Sequence, residues 1–193
     1  MSEAAATSPG IREVGGRTVP EAGTWAIDPA HTSVNFIARH LMSRVRGRFS
    51  TVQGTIQIAE DPAQSSAQVE VDIASIDTNQ PQRDEHLRSS DFFLLDKHPK
   101  MLFRSTELRP GPGDRFYLDG ELTVKDVTRP LTLEAEFLGT GIDPMGRLSA
   151  GFTAEAEVNR EDWGLSWNMA LETGGFLIGK TVKIEIEARL VKQ

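Results

Sequence analysis

The sequence predicts an all-β fold, an extended antiparallel barrel of about eight strands with one short helix near its mouth. Apolar and polar residues alternate through most of the chain, as they do in strands that face solvent on one side. Turn-forming residues separate the alternating segments, and many segments have ten residues or more. Eight or nine long strands of this kind are typical of a closed or nearly closed barrel.

The alternation and the turns place the strands in order along the chain. Near Ser50 or Thr51 the apolar phase slips by one residue, which predicts a β-bulge that helps the sheet to curve. Clusters of Gly, Pro and Asp close hairpins at residues 60–62, 110–114 and 141–146. The predicted strands lie near residues 24–28, 32–42, 45–58, 67–76, 100–109, 115–125, 130–140, 146–159 and 181–191.

Two segments fall outside the strand pattern. Residues 81–93 are predicted to form a short helix over the barrel, because Pro81 suits a first helical turn and Asp84 can pair with Arg88 one turn later. Residues 1–23 are rich in Ala, Gly, Glu and Pro and show little periodicity, so we expect a flexible N-terminal arm. Residues 24–193 then form a single barrel domain.

Composition excludes several classes of function. The chain has 21 Lys and Arg against 28 Asp and Glu, a net charge of −7, and no run of Lys or Arg exceeds two residues, so nucleic acid is not expected as a partner. The absence of cysteine excludes disulfides and thiolate chemistry. Neither a signal-peptide core nor a transmembrane segment is evident, so we expect a cytoplasmic protein.

Small residues on the apolar faces of the long strands predict an apolar cavity. Facing rows of Ala and Gly leave space unless the wall collapses inward. A two-sheet sandwich with a filled interior is the alternative, and it would need large side chains at most inward positions. The small inward residues are Ala38, Gly47, Gly120, Ala135, Ala150, Ala154, Ala156 and Ala188.

Polar residues near the predicted helix suggest a mouth for a ligand head group. The alternation puts His40 on an apolar face, where it is either a hydrogen-bonded core residue or a polar contact at the end of the cavity. Arg83, Asp84 and His86 share the helix, where Arg and His could bind an anionic head. A solvated helix held by local ion pairs is the alternative.

Catalytic and metal-binding patterns are missing from the sequence. The four histidines have no spacing that would aim two imidazoles at one ion, so no metal or cofactor is expected. Neither a G-x-S-x-G elbow, an H-E-x-x-H motif nor a glycine-rich phosphate loop occurs. We therefore expect a binding protein rather than an enzyme. An enzyme that acts on an amphiphile and a filled barrel that binds protein partners are the alternatives.

The stretch from Trp163 to Ile178 is apolar but poorly periodic, and its glycines would let it move. One interpretation is a ninth strand that plugs the barrel. The other, which we favour, is a partly ordered hydrophobic portal.

Several ordered motifs make the chain resemble the YceI-like family of lipocalin-like proteins, which bind polyisoprenoids or similar amphiphilic lipids. The resemblance spans roughly residues 24–193. Its motifs are W-x-I-D-P-x-H-T-x-V-x-F from Trp25, R-G-x-F from Arg46, S-I-D-T-N from Ser75, R-D-x-H-L-x-S-x-D-F-F from Arg83, P-x-M-x-F-x-S from Pro99, G-x-L-T-V from Gly120, V-T-R-P-L-x-L from Val127 and R-x-D-W-G-L from Arg160.

The resemblance implies an eight-stranded lipocalin-like barrel whose elongated apolar interior holds a prenyl or acyl chain, with the polar head near the mouth. It implies binding or transport without a known reaction. A homodimer is left open as an alternative to a monomer. The residues expected around the lipid tail are Val34, Phe36, Ala38, Phe49, Phe103, Ala150, Phe152, Ala154, Trp163, Leu165 and Phe176, and those expected around the head are His40, Arg83, Asp84 and His86.

Overall fold

The computed structural model of the protein describes residues 8–193. Its one α-helix, α1, spans Pro81–Arg88, and short 3-10 turns occupy Pro29–His31, Pro62–Gln64, Ile73–Ser75 and Arg160–Trp163. The strands are β1 (Ile11–Val14), β2 (Arg17–Pro20), β3 (Gly23–Ile27), β4 (Ser33–His40), β5 (Ser43–Phe49), β6 (Val52–Ile58), β7 (Ser66–Asp72), β8 (Ile76–Asp77), β9 (Lys100–Pro110), β10 (Arg115–Val124), β11 (Val127–Ile142), β12 (Leu148–Asn159) and β13 (Ile178–Lys192).

Eight antiparallel strands close into a barrel, which confirms the predicted fold class. The ring runs β3, β6, β7, β9, β10, β11, β12 and β13, and β13 closes it by pairing with β12 on one side and with β3 on the other. Every pairing in the ring is antiparallel. Closure removes the open sheet edges that would otherwise invite aggregation.

Strands β4, β5 and β8 extend the barrel beyond the ring at one end. β4 continues β3 after the 3-10 turn Pro29–His31, and both strands pair with β13. The Asp28 carboxylate fixes this turn by accepting a hydrogen bond from the Ala30 backbone N–H. The bulge predicted near Ser50 or Thr51 is wrong, because the strand pattern breaks there into two strands, β5 and β6, which pair with different neighbours.

The two ends of the barrel carry different elements. The helix end holds α1, the β4–β5 turn, the β10–β11 turn and the connection between β12 and β13. The hairpin end holds the β9–β10 and β11–β12 turns together with the β1–β2 hairpin.

Helix α1 is shorter than predicted, because it ends at Arg88 and the chain then turns. The Ser89 backbone N–H donates to the His86 carbonyl, and Leu94 adopts a left-handed conformation with φ of 51°. The expected pair between Asp84 and Arg88 does not form. Arg88 instead donates to the carbonyl oxygens of Ala74 and Ile76.

The predicted flexible arm is wrong for residues 11–20, which form the β1–β2 hairpin at one end of the barrel. Arg17 donates to the carbonyl oxygens of Gly111 and Arg115, and Arg12 donates to that of Glu60 at 2.6 Å. These hydrogen bonds satisfy carbonyls at the turns of the hairpin end, which composition alone could not indicate. Residues 1–7 of the predicted arm lie outside the described residues.

Candidate functional site

A continuous apolar cavity of about 810 Å³ runs through the barrel. At the helix end its wall includes Arg83 and Leu87, and at the hairpin end it includes Ile11, Val14 and Val19 of the β1–β2 hairpin. The volume falls in the upper part of the usual range for ligand pockets, roughly 300–1,000 Å³. The predicted cavity is therefore present, and the alternative of a filled sandwich is wrong.

Most residues predicted to surround a lipid tail line this cavity. They come from four strands, β4, β5, β9 and β12, and from the connection after β12, so the wall is assembled from distant parts of the chain. The predicted residues that line the cavity are Val34, Phe36, Ala38, Phe49, Phe103, Phe152, Ala154, Trp163 and Leu165.

Two predicted tail residues do not line the cavity. Ala150 is 1% exposed and packs with Trp25 and Leu190 in a closed apolar cluster. The Trp25 side chain fills the space that the small side chain of Ala150 leaves. Phe176 is 60% exposed, since the short bridge between Ala170 and Phe176 holds it in the connection outside the barrel. The alternation of apolar and polar residues in the sequence does not distinguish Ala150 and Phe176, which lie away from the cavity, from Ala154, which lines it.

Arg83 brings a guanidinium to the cavity wall at the helix end. Its Nε donates to Thr78 Oγ1 at 2.7 Å and one terminal nitrogen donates to the Thr78 carbonyl at 2.8 Å. The Thr78 hydroxyl donates in turn to the buried Asp84 carboxylate at 2.5 Å, and the Thr78 backbone N–H donates to the same oxygen at 2.8 Å. Asp84 thus orients Thr78, and Thr78 orients Arg83.

Arg160 is a second cation on the cavity wall, and the sequence reasoning did not single it out as a site residue. It is 6% exposed, and its side chain donates to the carbonyl oxygens of Gly179, Leu165 and Trp167. Among residues 8–193, its Nη2 has no hydrogen-bond partner, and no carboxylate oxygen lies closer than 4.0 Å to the guanidinium nitrogens. Burial lowers the pKa of the guanidinium below its ordinary value.

The only signal for Arg160 in the sequence is its place in the R-x-D-W-G-L motif. In the sequence Arg160 is an ordinary polar residue directly after a predicted strand. It is buried only because the connection after β12 folds back over it. A buried cation with one free donor and no carboxylate is costly, which makes it a candidate for contact with a polar ligand group.

Trp167 connects Arg160 to the helix. Its carbonyl accepts from Arg160 at 3.0 Å, and its ring packs edge-on against His86 with centroids 4.6 Å apart. His86 also bonds Asp91 at 2.8 Å and does not line the cavity. His86 therefore packs between aromatic rings, which explains why its position on the helix does not bring it to the mouth.

Of the two remaining head-group candidates, one lines the cavity and the other lies behind its wall. His40 lines the cavity at the end of β4, as predicted for a mouth residue. Asp84 is 7% exposed and lies behind Thr78 rather than on the wall, because its carboxylate is taken up by the two bonds from Thr78. Asp84 is thus a positioning residue for Arg83.

Within residues 8–193, no group of three or more His, Asp or Glu side chains is arranged to hold a metal ion. No helix of that same part of the chain is long and apolar enough to cross a membrane.

The geometry defines a class of protein, a closed eight-stranded barrel with a long apolar cavity and three arginines, Arg39, Arg83 and Arg160, on its wall at one end. The chain belongs to the YceI-like family, whose domain model matches residues 25–190. It is 39% identical over 141 residues to Protein YceI of Shigella flexneri, covering 72% of this chain and 73% of that protein. It is 37% identical over 166 residues to a UPF0312 protein of Staphylococcus epidermidis, covering 83% and 93%.

Solved structures share the fold. BcnA of Burkholderia cenocepacia superposes with a TM-score of 0.74 at 20% identity, covering 84% of this chain and 98% of that one. A polyisoprenoid binding domain of Saccharophagus degradans, implicated in plant cell wall breakdown, gives a TM-score of 0.63 at 16% identity, covering 88% and 98%. At these identities the likeness concerns the barrel itself.

Proposed function

We propose that this protein binds a long-chain polyisoprenoid or a similar amphiphilic lipid, with the tail in the barrel cavity and the polar head at the helix end. The observation that carries the proposal is the continuous apolar cavity of about 810 Å³. Membership of the YceI-like family and the likeness to a polyisoprenoid binding domain support it. Each buried CH₂ contributes about 0.8 kcal/mol before ordering costs, so a long chain can bind tightly.

Two arginines supply the reason for placing the head at the helix end. Arg83 and Arg160 both line the cavity, and neither lies within 4.0 Å of a carboxylate in the described part of the chain. The free Nη2 of Arg160 favours a head group that accepts a charge-assisted hydrogen bond, such as a phosphate, a diphosphate or a carbonyl. His40 borders the same end.

The direct test is to purify the protein, denature it and analyse an organic extract by mass spectrometry. We expect a prenyl or other long-chain amphiphile in stoichiometric amount. A protein that carries none, and that takes up no prenyl alcohol or prenyl diphosphate after refolding, would contradict the proposal.

Two alanines on the same strand test whether the lipid occupies the cavity. Ala154→Trp puts an indole into the cavity, so the lipid-free protein should keep its stability while lipid binding is lost. Ala150→Trp is the matched control. It should overpack the cluster of Trp25 and Leu190 and cost about 1–3 kcal/mol. Lipid content and melting temperature are measured on the same samples. Full lipid binding by Ala154→Trp would place the lipid elsewhere.

The head-group position is tested with two ligands that share a tail. Arg83→Gln should weaken binding of a prenyl diphosphate more than binding of the corresponding prenyl alcohol, because only the first needs charge compensation. Arg104→Gln, on the exposed outer face of β9, is the control and should leave both affinities unchanged. Equal weakening of the two ligands by Arg83→Gln would mean that Arg83 only supports the wall.

The proposal is binding without turnover, and it extends to carriage or sequestration of the lipid. Chemical conversion of a prenyl or acyl ligand by the purified protein would contradict binding without turnover. The cytoplasmic location and the homodimer stay predictions, to be checked by cell fractionation and by light scattering.

A further inference from the structure

We infer that the protein docks on anionic lipid bilayers through a docking rim at the helix end, defined by the turn after β4, the outer face of β5 and the connection before β13. The docking rim lies on the outer surface of the barrel, so its contact with a bilayer is separate from the binding of a lipid in the cavity. Apolar side chains meet there beside the end of the cavity with arginines that have no ion-pair partner in the described part of the chain.

The apolar part of the docking rim is unusually exposed. Met42 is fully exposed at the β4–β5 turn, and Leu41, Met169 and Phe176 are each about half exposed or more. Two backbone hydrogen bonds hold these segments together, from Leu41 N–H to the Leu177 carbonyl and from Leu177 N–H to the Met169 carbonyl. The exposed groups therefore form one patch rather than scattered single residues.

The cationic part comes from the β4–β5 hairpin. Arg39, Arg44 and Arg46 are exposed, and none has an ion pair or a side-chain hydrogen bond within residues 8–193. Arg39 and Arg44 lie directly opposite one another in the register, an arrangement of like charges that destabilises a strand pair. An anionic surface would relieve this repulsion, and Arg is well suited to phosphate head groups.

The docking rim carries positive charge on a protein whose net charge is negative. The chain has a net charge of −7, and glutamates face one another on the outer wall, at Glu134 opposite Glu155 and Glu155 opposite Glu185. An acidic wall is repelled by an anionic bilayer while the arginines are attracted, so the protein should approach with the helix end first. The connection before β13 carries three carboxylates, Asp162, Glu172 and Glu161, of which Glu161 pairs with Lys180, and Glu172 lies beside the exposed apolar residues.

The rim is continuous with the cavity. His40 lines the cavity and lies between Arg39 and Leu41 in sequence, and Ile178 lines it directly after Leu177. A bilayer in contact with the rim would therefore face the end at which a lipid head is proposed to lie. This arrangement suits a protein that takes lipid from a membrane or delivers lipid to one.

The test is flotation of the full-length protein with phosphatidylcholine vesicles, with and without phosphatidylglycerol. We expect binding only when phosphatidylglycerol is present, and release by salt. Arg44→Gln and Arg46→Gln should each weaken partitioning of the protein onto the vesicles about fivefold, because an Arg near an anionic membrane surface contributes about 1 kcal/mol, which is about fivefold in affinity. The double variant should therefore weaken partitioning about 25-fold. Glu172→Gln should strengthen it.

Matched controls separate the rim from general surface effects. Met42→Asp should weaken binding at least about tenfold because an apolar anchor is lost, whereas Met145→Asp, an exposed turn residue at the hairpin end, should have no effect. Arg104→Gln should likewise have no effect. Equal binding to both vesicle types, binding to neither, or equal effects of the rim and control variants would each overturn the inference.

Ala154→Trp keeps this inference distinct from the proposed function. That variant should lose cavity lipid yet still float with anionic vesicles. Loss of vesicle binding in the folded variant would show that the protein reaches vesicles only through lipid in its cavity.

Discussion

Glycine and alanine contribute to the interior in different ways. The Phe36 ring covers Gly47, and the Phe103 ring covers Gly120, so these two glycines make room for aromatic side chains rather than for empty space. Ala38 and Ala154 do border the cavity. The prediction that the small inward residues leave space is therefore wrong at the two glycines, because a ring from the adjacent strand fills the gap, and it is also wrong at Ala150 and Ala156, which do not line the cavity.

Three glycine-to-alanine variants test this distinction. A Cβ on Gly120 would lie 2.6 Å from the Arg104 carbonyl oxygen, so Gly120→Ala should destabilise by about 1–3 kcal/mol. The three atoms nearest to a Cβ on Gly47 all belong to the Phe36 ring, which borders the cavity and can rotate into it, so Gly47→Ala should cost less than about 1 kcal/mol. The measurement is the free energy of unfolding in urea.

Gly141→Ala is the control for this series. Its Cβ would meet nothing within 4 Å, so the free energy of unfolding should change by less than about 0.5 kcal/mol. Equal losses at positions 47 and 120 would mean that Phe36 cannot move and that the cavity near it is smaller than described.

At the scale of elements, the β1–β2 hairpin is part of the barrel's closure. Ile11, Val14 and Val19 contribute to the cavity wall, and the Arg12 and Arg17 side chains bond to turns of the barrel. Its short strands and polar flanks resemble a loose terminus in the sequence. Only contact with the barrel gives the hairpin enough partners to be ordered.

Deleting residues 1–20 should lower the melting temperature by several degrees, because it removes apolar cover and exposes one end of the cavity. At this chain length each kcal/mol corresponds to roughly 2–4 °C. The deletion stops before Glu21, whose carbonyl accepts from Trp25 Nε1 at 3.2 Å. Deleting residues 1–7 alone is the control and should leave the melting temperature unchanged. Identical melting of both truncated proteins would contradict a structural role for the hairpin.

An ion-pair cluster joins β9, β10 and β11 on the outer wall. Arg109 donates to Asp119 at 2.9 Å and Thr132 donates to it at 2.6 Å, and these bonds, led by that of Arg109, lower the pKa of Asp119 to about 2. A carboxyl with a lowered folded-state pKa stabilises the fold above its unfolded pKa. The stabilisation is lost as pH falls from about 4 towards 2.

Asp119→Asn should therefore reduce stability at pH 7 by about 1 kcal/mol and should flatten the loss of stability between pH 4 and pH 2. The measurement is a urea titration at a series of pH values. A variant with the same acid slope as the unsubstituted protein would show that Asp119 is ionised no more easily in the folded state than in the unfolded chain.

At the scale of the whole molecule, the closed barrel holds space that a filled fold of this size would not contain. Protein interiors usually pack to crystal-like density, so a long apolar void gives up dispersion contacts along its wall. A bound lipid would restore those contacts. Ligand binding and stability should therefore be coupled.

Lipid removal should lower the melting temperature by roughly 5–10 °C, if the bound lipid is present at about a hundredfold excess over its dissociation constant. Scanning calorimetry of the loaded and the stripped protein measures this difference. In Ala154→Trp the two preparations should melt together. A stripped protein that melts with the loaded one would contradict the coupling.

The sequence by itself determined the barrel, the approximate strands, the break in the strand pattern between β5 and β6 and the presence of a helix near the mouth. These features depend on local alternation and turn chemistry, which are readable along the chain because one face of each strand is buried. The family motifs lie on the same elements.

Only the tertiary structure decided which inward residues border empty space, and that Arg160 is buried with a free donor. A void is the difference between the barrel's volume and the side chains of all its strands, so alternation on one strand cannot reveal it. Trp25 closes the space beside Ala150, while Ala154 borders the cavity. Likewise, the surroundings of Arg160 come from residues 165–179, which fold back onto it after the strand has ended.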